Sequence, residues 1–292
     1  MITIYLMGGL GNQLFQIFAT IAYGIQHSHP FIFSYNTKLE TGMVRPTYWH
    51  NFLSKLIVFT TNNSSNNYTN ELLNSFPKVR ENGFHYTEIQ SIPSHNSFSL
   101  FGYYQSYKYF ETYKKQIYSM IALSKTQSEI RSENANYLDN ISTISMHFRL
   151  GDYKEKQHCH PIMSREYYEK SLETILHKQY SESDGVRVLY FCEAEDNTYV
   201  SGVIQHLKHR FSKYTFLEFV KVEDTMDDWK QMVLMSLCHH NIIANSSFSW
   251  WGAYFNQSDT KQVCYPSVWF GPAMHNVNTK DLYPDNWTKI SA

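Results

Sequence analysis

The sequence predicts an α/β protein of two domains, each with a parallel sheet covered by helices on both faces. The chain has 292 residues, which is enough for two domains of ordinary size. Its N-terminal residues are predicted to form a strand, a glycine turn and a helix, and its second half is predicted to alternate strands with helices. That alternation favours parallel strands joined by helical crossovers. Two such halves facing each other across a cleft are the simplest architecture for this pattern.

The first half predicts a βαβ-like opening. The apolar run at 2–7 is the first strand, and from Leu14 the apolar residues recur at helical spacing. A second strand follows at Phe31–Tyr35. The polar, low-complexity stretch Thr60–Asn70 is typical of a solvated loop.

A polar and charged stretch from Ser124 to Asn140 predicts the boundary between a first domain at 1–135 and a second at 136–292. In the second domain, strands are predicted at Ile141–Phe148, Val186–Cys192, Tyr214–Val222, Asn241–Ala244 and Gln262–Tyr265. Helices are predicted at Ser164–Lys178, Met226–His239 and Ser247–Phe255.

Charge and composition exclude several classes of function. The 25 Lys and Arg residues balance 26 Asp and Glu residues, and the formal net charge of −1 argues against electrostatic binding of nucleic acid. Hydrophobic residues make up 42% of the chain, which indicates a packed core. Aromatic residues make up 16%, and surface rings suit sugars, although core and interface positions explain many of them.

The sequence also predicts a cytoplasmic location. The segment Met1–Leu6 lacks the basic and long apolar parts of a signal peptide, and no long apolar run predicts a membrane helix. The four cysteines are scattered without a C-x-x-C pair, which favours a reduced protein without structural zinc. His158 and His160 lack partners at zinc spacing, so no metal site is predicted.

Gly8-Gly9-Leu10-Gly11-Asn12-Gln13 stands between the first strand and the first helix. Glycines let the backbone approach a ligand closely, and a helix N-terminus presents N–H groups to an anion. The spacing matches neither G-x-G-x-x-G nor a P-loop. The segment is therefore a candidate phosphate-binding turn or an ordinary tight turn.

His147-Phe148-Arg149-Leu150-Gly151-Asp152-Tyr153 lies at the carboxyl end of a predicted strand, where ligands bind in open α/β sheets. His147 and Arg149 alternate along the strand, so their side chains point to the same side of the sheet. Arg149 offers a fork of donors to a diphosphate, or it pairs with Asp152 in a structural role.

Two further segments could bind a ligand. Asn245–Ala253 places three serines and two tryptophans at a helix start, which is more than a helix cap requires. Gly102-Tyr103-Tyr104-Gln105-Ser106 groups aromatic and amide side chains near a predicted loop.

Together these four segments resemble the bacterial-type α-1,2-fucosyltransferases of glycosyltransferase family 11. That family carries Gly-Gly-Leu-Gly-Asn-Gln near the N-terminus, a Gly-Tyr-Trp-Gln-Ser segment, His-x-Arg-Arg-Gly-Asp-Tyr in mid-chain, and Ser-Ser-Phe-Ser-Trp-Trp-Gly-Ala near the C-terminus. The first and last motifs match this sequence almost letter for letter, and the resemblance covers nearly the whole chain.

The resemblance implies an α/β fold of GT-B type, with two Rossmann-like domains facing a cleft. Residues 1–135 would then form the acceptor-side domain, and residues 136–292 would bind the nucleotide sugar. The implied reaction is an inverting, α-1,2-forming transfer of L-fucose from GDP-β-L-fucose to a hydroxyl, O2 of a terminal galactose. The implied partners are this donor and a glycan acceptor, with no nucleic acid. A lipid-linked acceptor would bring the enzyme to a membrane surface.

The resemblance further implies that no metal or cofactor is needed, because basic and hydroxyl groups hold the diphosphate. Arg149 would hold the β-phosphate and stabilise the departing GDP, and Asn12 would approach the reacting centre from the other domain. Donor contacts are implied for Gly9, Gly11, His147, Glu193, Ser247, Phe248 and Ser249. Acceptor contacts are implied for Tyr104 and Gln105.

A general base is not specified by these motifs. Asp152 is the nearest carboxylate by sequence, so it is the candidate base, or it orients Arg149. A dissociative path in which a phosphate oxygen takes the proton needs no base.

Two positions depart from the family pattern. Leu150 replaces the family's second arginine, and alternation predicts that its side chain points away from that of Arg149. Phe191-Cys192-Glu193-Ala194 replaces a Phe-Ser-Asp-Asp segment whose acidic residue is expected at guanine. Glu193 can accept hydrogen bonds from guanine N1–H and N2–H2, as an aspartate would.

Two other hypotheses remain open. Leu150 and Ala194 suggest a transferase for another deoxysugar nucleotide. The aromatic excess suggests a non-catalytic glycan-binding protein, although such a protein has no need of a diphosphate site formed by Arg149, Asn12 and Ser249.

Overall fold

The structure is a computed structural model that describes residues 1–40 and 43–292. It divides into two compact units, each of which contains a parallel sheet, and this confirms the predicted α/β fold class. The first unit comprises Met1–Thr126 and Val277–Pro284, and the second comprises Gln127–Asn276 and Asp285–Ala292. The chain passes from the first unit to the second at Thr126, within a helix at Leu123–Glu133 that lies largely in the polar stretch Ser124–Asn140.

The first unit is built around a small parallel sheet with the strand order β1-β5-β4. Its elements are β1 (Ile2–Ile4), α1 (Leu10–Gln26), β2 (Lys38–Leu39), β3 (Arg45–Pro46), α2 (Asn70–Asn74), β4 (Lys78–Arg80), β5 (Phe98–Phe101), α3 (Lys114–Met120) and the beginning of α4 (Leu123–Glu133). The predicted strand at Phe31–Tyr35 is reduced to single bridges, from Phe31 to Ile2 and from Phe33 to Thr60.

The core of the first unit follows from the apolar spacing of α1. Leu14, Ile17 and Phe18 recur at helical intervals and are fully buried. Phe18 packs edge-to-face on Phe110, with the ring centroids 5.4 Å apart. These contacts fix the axis of α1, and with it the position of the glycine turn that precedes the helix.

A short segment near the C-terminus, Val277–Pro284, belongs to the first unit, which the sequence did not predict. Asp281 is buried there, and its carboxylate lies 2.5 Å from Lys108 Nζ and accepts a hydrogen bond from the Tyr86 N–H at 3.2 Å. Its backbone oxygen accepts a hydrogen bond from Ser106 Oγ at 2.6 Å. The segment therefore contacts two separate parts of the first unit, the backbone at Tyr86 and the segment from Ser106 to Lys108.

The second unit contains a six-stranded parallel sheet with the order β11-β10-β9-β6-β7-β8. Its elements after α4 are α5 (Ala135–Leu138), β6 (Ser142–His147), α6 (Arg165–Gln179), β7 (Val186–Phe191), α7 (Asn197–Arg210), β8 (Leu217–Lys221), α8 (Asp228–Ser236), β9 (His240–Ile242), α9 (Ser247–Tyr254), β10 (Val263–Pro266) and β11 (Thr288–Ile290). This is the strand order of a doubly wound nucleotide-binding sheet.

All five strands and all three helices that the sequence predicted in this half are present, with ends that differ by a few residues. Four elements were missed, namely the helices α4, α5 and α7 and the edge strand β11. Helix α9 packs closely on α8, because Gly252 has no side chain and a Cβ there would lie 2.8 Å from Met235 Cβ.

Candidate functional site

The sheet of the second unit reverses its winding between β6 and β9. The chain adds β7 and β8 on one side of β6, and then returns to add β9, β10 and β11 on the other. At such a switch point the loops after the two central strands diverge and leave a crevice at their carboxyl ends. The loop after β6 begins with Phe148 and Arg149, and the loop after β9 leads to Ser247. The structure therefore brings together two of the predicted ligand segments.

Arg149 is the central cation of this edge. Its guanidinium donates hydrogen bonds to Asp152 and Glu193, and its Cζ lies 4.9 Å from the centroid of the Tyr153 ring. The side chain is 19% exposed. The two carboxylates use only some of the N–H donors of the guanidinium, so the others can reach an anion from solvent. Both roles considered for Arg149, structural pairing and anion binding, are compatible with this geometry.

Asp152 is tied to the same cluster. One carboxylate oxygen accepts from Arg149, and the other lies 3.4 Å from Lys156 Nζ. Both oxygens are thus engaged with cations, which favours an orienting role. The alternative role of general base stays a prediction.

Glu193 is the second carboxylate partner of Arg149, and its side chain is 55% exposed. It faces Gly151, whose φ is +43° and whose N–H donates to Asp196 Oδ2 at 3.1 Å. A Cβ at Gly151 would lie 2.9 Å from Glu193 Oε2. Glycine is therefore required both by the turn and by the position of Glu193.

Three carboxylates, those of Glu193, Glu195 and Asp196, have oxygens within 4.8 Å of one another, and they are the one potential metal-ligand group found in residues 1–40 and 43–292. The chain's own cations lie beside them. Lys154 Nζ is 2.5 Å from Asp196 Oδ1, and Arg149 binds Glu193. That the site works without a metal stays a prediction.

Leu150 is buried in the hydrophobic core of the second unit, while the neighbouring Arg149 side chain reaches the surface. This confirms the prediction that the two side chains diverge. The loss of the family's second arginine therefore removes a charge from a position that faces the core.

His147, the last residue of β6, is buried, and its ring centroid lies 5.4 Å from that of Phe248. Burial, and secondarily the charge of Arg149, lowers the pKa of His147 to about 3. The imidazole is thus neutral near pH 7. Its Nδ1 is buried and has no hydrogen-bond partner within the described part of the chain.

Asn245 connects the loops around the crevice. Its Nδ2 donates to the backbone oxygens of Pro161 at 2.9 Å and Trp269 at 3.2 Å. Its own backbone oxygen accepts a hydrogen bond from the Tyr153 hydroxyl at 3.2 Å. Since Tyr153 lies under Arg149, Asn245 links the arginine loop to the start of α9.

The residues at the start of α9 differ in their exposure to solvent. Ser246 is the N-cap residue, with an extended backbone and no side-chain capping bond. Ser247 and Phe248 are partly exposed, whereas Ser249 is buried with its hydroxyl donating to Ser246 O at 3.4 Å. The adjacent Trp250 is fully buried and belongs to the packing of α9, not to a binding surface. Donor contact by Ser247, Phe248 and Ser249 stays a prediction.

In the first unit, the glycine turn is shaped by two glycines with different roles. Gly8 has φ +77°, and a Cβ there would lie 2.5 Å from Asn12 Nδ2. Gly9, the N-cap of α1, has nothing within 4 Å of a Cβ, so the surface beside it is open. Gly11 is buried in the first turn of α1, and Gln13 Nε2 closes the turn by donating to Gly8 O at 3.0 Å. Contact of Gly9 and Gly11 with a ligand stays a prediction.

Buried amides join this turn to the Gly102–Ser106 segment. Gln105 Nε2 donates to Asn12 Oδ1 at 2.7 Å. Gln16 accepts from the Met7 N–H at 2.9 Å and donates to Gly102 O at 3.1 Å. The first and fourth sequence segments are thus brought together, and the side chain of Asn12 is held in one orientation.

Tyr104 is almost fully buried, and its hydroxyl donates to Val79 O at 3.4 Å. The carboxylate of Glu81 accepts from the N–H groups of Tyr103 at 2.8 Å and Tyr104 at 3.0 Å. Burial raises the pKa of Glu81 to about 7. Tyr104 therefore has a structural role, and Tyr103, 39% exposed, is the accessible ring of the segment. Acceptor contact by Tyr104 and Gln105 stays a prediction.

Sequence reasoning missed the supporting residues of the site. Tyr153 and Asn245 stand inside the motifs, but their letters do not reveal that they bridge two loops. Lys154 and Asp196 form an ion pair 42 positions apart along the chain, which no local spacing indicates. His160, considered as a metal ligand, stacks on Tyr153 with the ring centroids 4.9 Å apart.

No helix in the described ranges is long and apolar enough to span a membrane.

An arginine fork beside a helix start, at the switch point of a doubly wound sheet, is the arrangement of an α/β protein that binds a phosphorylated ligand. A family model described as glycosyl transferase family 11 matches residues 1–291. The chain therefore belongs to glycosyl transferase family 11, and the resemblance of its motifs is confirmed.

Two relatives from Escherichia coli are similar to this chain. An alpha-1,2-colitosyltransferase is 26% identical over 305 residues, covering 98% of this chain and 97% of its own. The O-antigen biosynthesis glycosyltransferase WbnK is 26% identical over 202 residues, covering 67% of this chain and 61% of its own length. Among solved structures, the fucosyltransferase NodZ from Bradyrhizobium superposes with a TM-score of 0.44 at 10% identity, covering 86% of this chain and 92% of NodZ.

Proposed function

We propose that this protein transfers L-fucose from GDP-β-L-fucose to a glycan hydroxyl, O2 of a terminal galactose, with inversion at C1 to give an α-1,2 link. Membership of family 11 supports the coarser part of this proposal, a nucleotide-sugar donor and a glycan acceptor. The observation that carries it is Arg149, an accessible guanidinium with unused donors at the switch point of the sheet.

The donor would bind along the carboxyl edge of β6 and β9. Arg149 would hold the β-phosphate through its remaining N–H groups, and Ser247 with the N–H groups at the start of α9 would hold a second phosphate oxygen. Phe248 and the neutral His147 would border the nucleotide. Glu193 would accept from guanine N1–H and N2–H2, since its exposed carboxylate can turn away from Arg149.

Two positions of the first unit are also proposed to take part in binding and transfer. Gly9 leaves an open surface at the N-terminus of α1, where N–H groups face an approaching phosphate. Asn12, fixed by its hydrogen bond from Gln105, would point a polar group toward the reacting atoms. The acceptor would lie on this side, against the Gly102–Ser106 segment.

In the reaction, the acceptor oxygen forms a bond to C1 of the fucosyl group while the bond from C1 to the β-phosphate oxygen breaks. The electron pair of that bond leaves with GDP, so negative charge grows on the β-phosphate, where Arg149 stabilises it. Asp152 positions Arg149, because both of its oxygens are already engaged with cations. The proton of the acceptor hydroxyl then passes to a phosphate oxygen of the departing GDP. The charge that a metal would supply comes from Arg149 and the N–H groups.

The acceptor would belong to a surface polysaccharide, because the related WbnK is an O-antigen biosynthesis glycosyltransferase. A lipid-linked acceptor on the cytoplasmic side would place the enzyme at a membrane surface without a spanning helix.

A second candidate donor is a GDP-linked deoxysugar other than fucose. It is supported by the alpha-1,2-colitosyltransferase, whose similarity extends over 98% of this chain. This alternative keeps the inverting mechanism and the α-1,2 link and changes the sugar that is transferred.

The test is a comparison of GDP-fucose and GDP-colitose with the purified protein, in the presence of EDTA, measuring GDP binding by calorimetry and transfer to galactosides by product analysis. Arg149→Ala is the inactive control, and Lys115→Met, an exposed change outside the site, is the matched control. Turnover that survives EDTA and disappears only in Arg149→Ala supports the proposal.

The donor that gives the higher kcat/KM decides between fucose and colitose. Binding of a galactoside without any binding of GDP would overturn the transferase proposal in favour of a glycan-binding protein. Turnover that disappears with EDTA and returns with a divalent cation would overturn its metal-free part.

A further inference from the structure

The first unit contains a polar cavity that the proposed reaction does not use. Its volume is about 420 Å³, which lies within the range of small-molecule sites, about 300–1,000 Å³. Thr3, Ser99 and Lys78 line it and are register partners on β1, β5 and β4. Residues paired in register share one face of a sheet, so these three form a polar row across all three strands.

Buried hydroxyls on this face need an explanation. The faces of parallel sheets are normally apolar, yet Thr3 and Ser99 are 2% and 4% exposed. Thr3 Oγ1 has no hydrogen-bond partner in the described ranges, and Ser99 Oγ donates only to Leu100 O, at 3.3 Å. A buried hydroxyl without a partner costs free energy, whereas an apolar residue of similar size would not. The row therefore indicates a polar ligand.

Two residues further along the strands, Arg80 and Phe101 are register partners, and Tyr5, the residue after β1, lies beside Phe101. Tyr5 and Phe101 are stacked, with the centroids 5.7 Å apart. Lys78 Nζ lies 5.5 Å from the Tyr5 centroid and 5.2 Å from that of Phe101, and Arg80 Cζ lies 4.5 Å from Phe101. These rings hold Lys78, which lines the cavity, and Arg80, which lies outside its lining.

The charge of the rim is not balanced. Lys38 and Glu40 also line the cavity, but they pair with each other at 3.0 Å and cancel. Lys78 and Arg80 have no carboxylate partner in the part of the chain that the structure describes. Hydroxyls at the floor, the Tyr5 ring at one side and the uncompensated cation of Lys78 fit a sugar that carries an anionic group.

We propose that this cavity binds an anionic sugar, either a hexuronate or a sugar phosphate, as a specificity-determining part of the acceptor. Its assignment to the acceptor rests on the proposed function, whereas the cavity and its ligand class do not. Lys78 would contact the carboxylate or phosphate, and Thr3 with Ser99 would hydrogen-bond to sugar hydroxyls.

The test measures binding of galacturonate, galactose 1-phosphate, galactose and inorganic phosphate to the protein by NMR titration. Both anionic sugars are expected to bind more tightly than galactose, by up to about fivefold, the size of one partly exposed charge contact. The tighter of the two identifies the anion as a carboxylate or a phosphate. Lys78→Met should abolish the preference, while Lys115→Met, an equal change outside the cavity, should retain it. Thr3→Val should weaken the binding of all three sugars.

Equal binding of galactose and the anionic sugars would overturn the proposal, as would a preference that survives in Lys78→Met. Inorganic phosphate that binds as tightly as galactose 1-phosphate would also overturn it, because the sugar would then contribute nothing. The melting temperature of Lys78→Met should be unchanged, which shows that the first unit of the variant is folded. A preference that depends on Lys78 in a protein without transferase activity would overturn the proposed function and leave the cavity assignment standing.

Discussion

Replacing Glu193 by glutamine separates two roles that one carboxylate can play. In the structure Glu193 accepts a hydrogen bond from Arg149, and in the proposed donor complex it accepts from guanine. If Glu193 binds guanine, Glu193→Gln weakens the binding of GDP. If it only pairs with Arg149, the substitution removes a negative charge next to the diphosphate, and the protein binds GDP more tightly. The two roles therefore predict changes of opposite sign.

The sizes of the two effects differ as well. The Glu193 side chain is 55% exposed, so its ion pair with Arg149 contributes no more than about 1 kcal/mol. Loss of this pair therefore lowers the Kd of GDP by less than about fivefold. A hydrogen bond from guanine to a carboxylate is worth about 1.5–3 kcal/mol, so losing guanine recognition raises the Kd of GDP about tenfold to a hundredfold. We expect the second result.

The assay is calorimetric titration with GDP and with inosine diphosphate, which lacks the N2 amino group. The unmodified protein should prefer GDP, and Glu193→Gln should lose that preference. Glu195→Gln is the matched control, because Glu195 belongs to the same acidic cluster but lies 3.8 Å from Lys154 and does not bind Arg149. A Glu193→Gln variant that binds GDP as tightly as before, with an unchanged preference over inosine diphosphate, would refute the guanine role.

Three further predictions concern the edge of β6, the glycine turn and a buried carboxyl group. Arg149→Ala should lower kcat about 10²–10³-fold with a fixed acceptor, since it removes stabilisation of the leaving GDP. The kcat of Arg149→Lys should lie between those of Arg149→Ala and the unmodified protein. Equal rates in the two variants would contradict the need for a fork of donors. Gly8 has φ +77°, so Gly8→Ala should lower the free energy of unfolding by about 1–2 kcal/mol in denaturant melts. Gly9→Ala should unfold at the same denaturant concentration as the unmodified protein but lose turnover. Normal turnover of Gly9→Ala would show that Gly9 does not belong to the donor site. Burial raises the pKa of Glu81 from 4.5 to about 7, so the free energy of unfolding should fall by up to about 3 kcal/mol as the pH rises through that window and level off above it. Glu81→Gln should remove this pH dependence, and identical profiles for the two proteins would show that Glu81 does not cause it.

Much of the second unit could be predicted because its strands are short apolar runs separated by turn signals. Alternation also predicted that Leu150 turns into the core, which the structure confirms. Helix α7 was missed although Val200, Val203 and Leu207 have helical spacing, because Gly202 and the many polar residues of the exposed face lower the helical signal. The edge strand β11 has only three residues, too few to show alternation.

The site itself was predicted only in part. Sequence motifs identified Arg149 and its position after a strand, since local order is enough for that. They could not show that Glu193 and Asp152 both bind Arg149, because Glu193 is brought there by the neighbouring strand β7. The burial of Tyr104 could not be predicted either, because it depends on packing against Tyr109 at 5.1 Å, a contact outside the motif.

The return of Val277–Pro284 to the first unit imposes an order on the synthesis of this protein. Lys108 receives its partner, Asp281, only after the ribosome has added 173 further residues, and Ser106 waits for the same segment. The second unit has most of its residues in one continuous stretch, so it can complete its sheet, apart from β11, while the first unit still waits for its last segment. An N-terminal fragment that stops at Thr126 lacks the buried carboxylate that holds this region together, and it is an unsuitable fragment for isolating the first unit. Adding residues 277–284 through a short linker would supply the missing contacts.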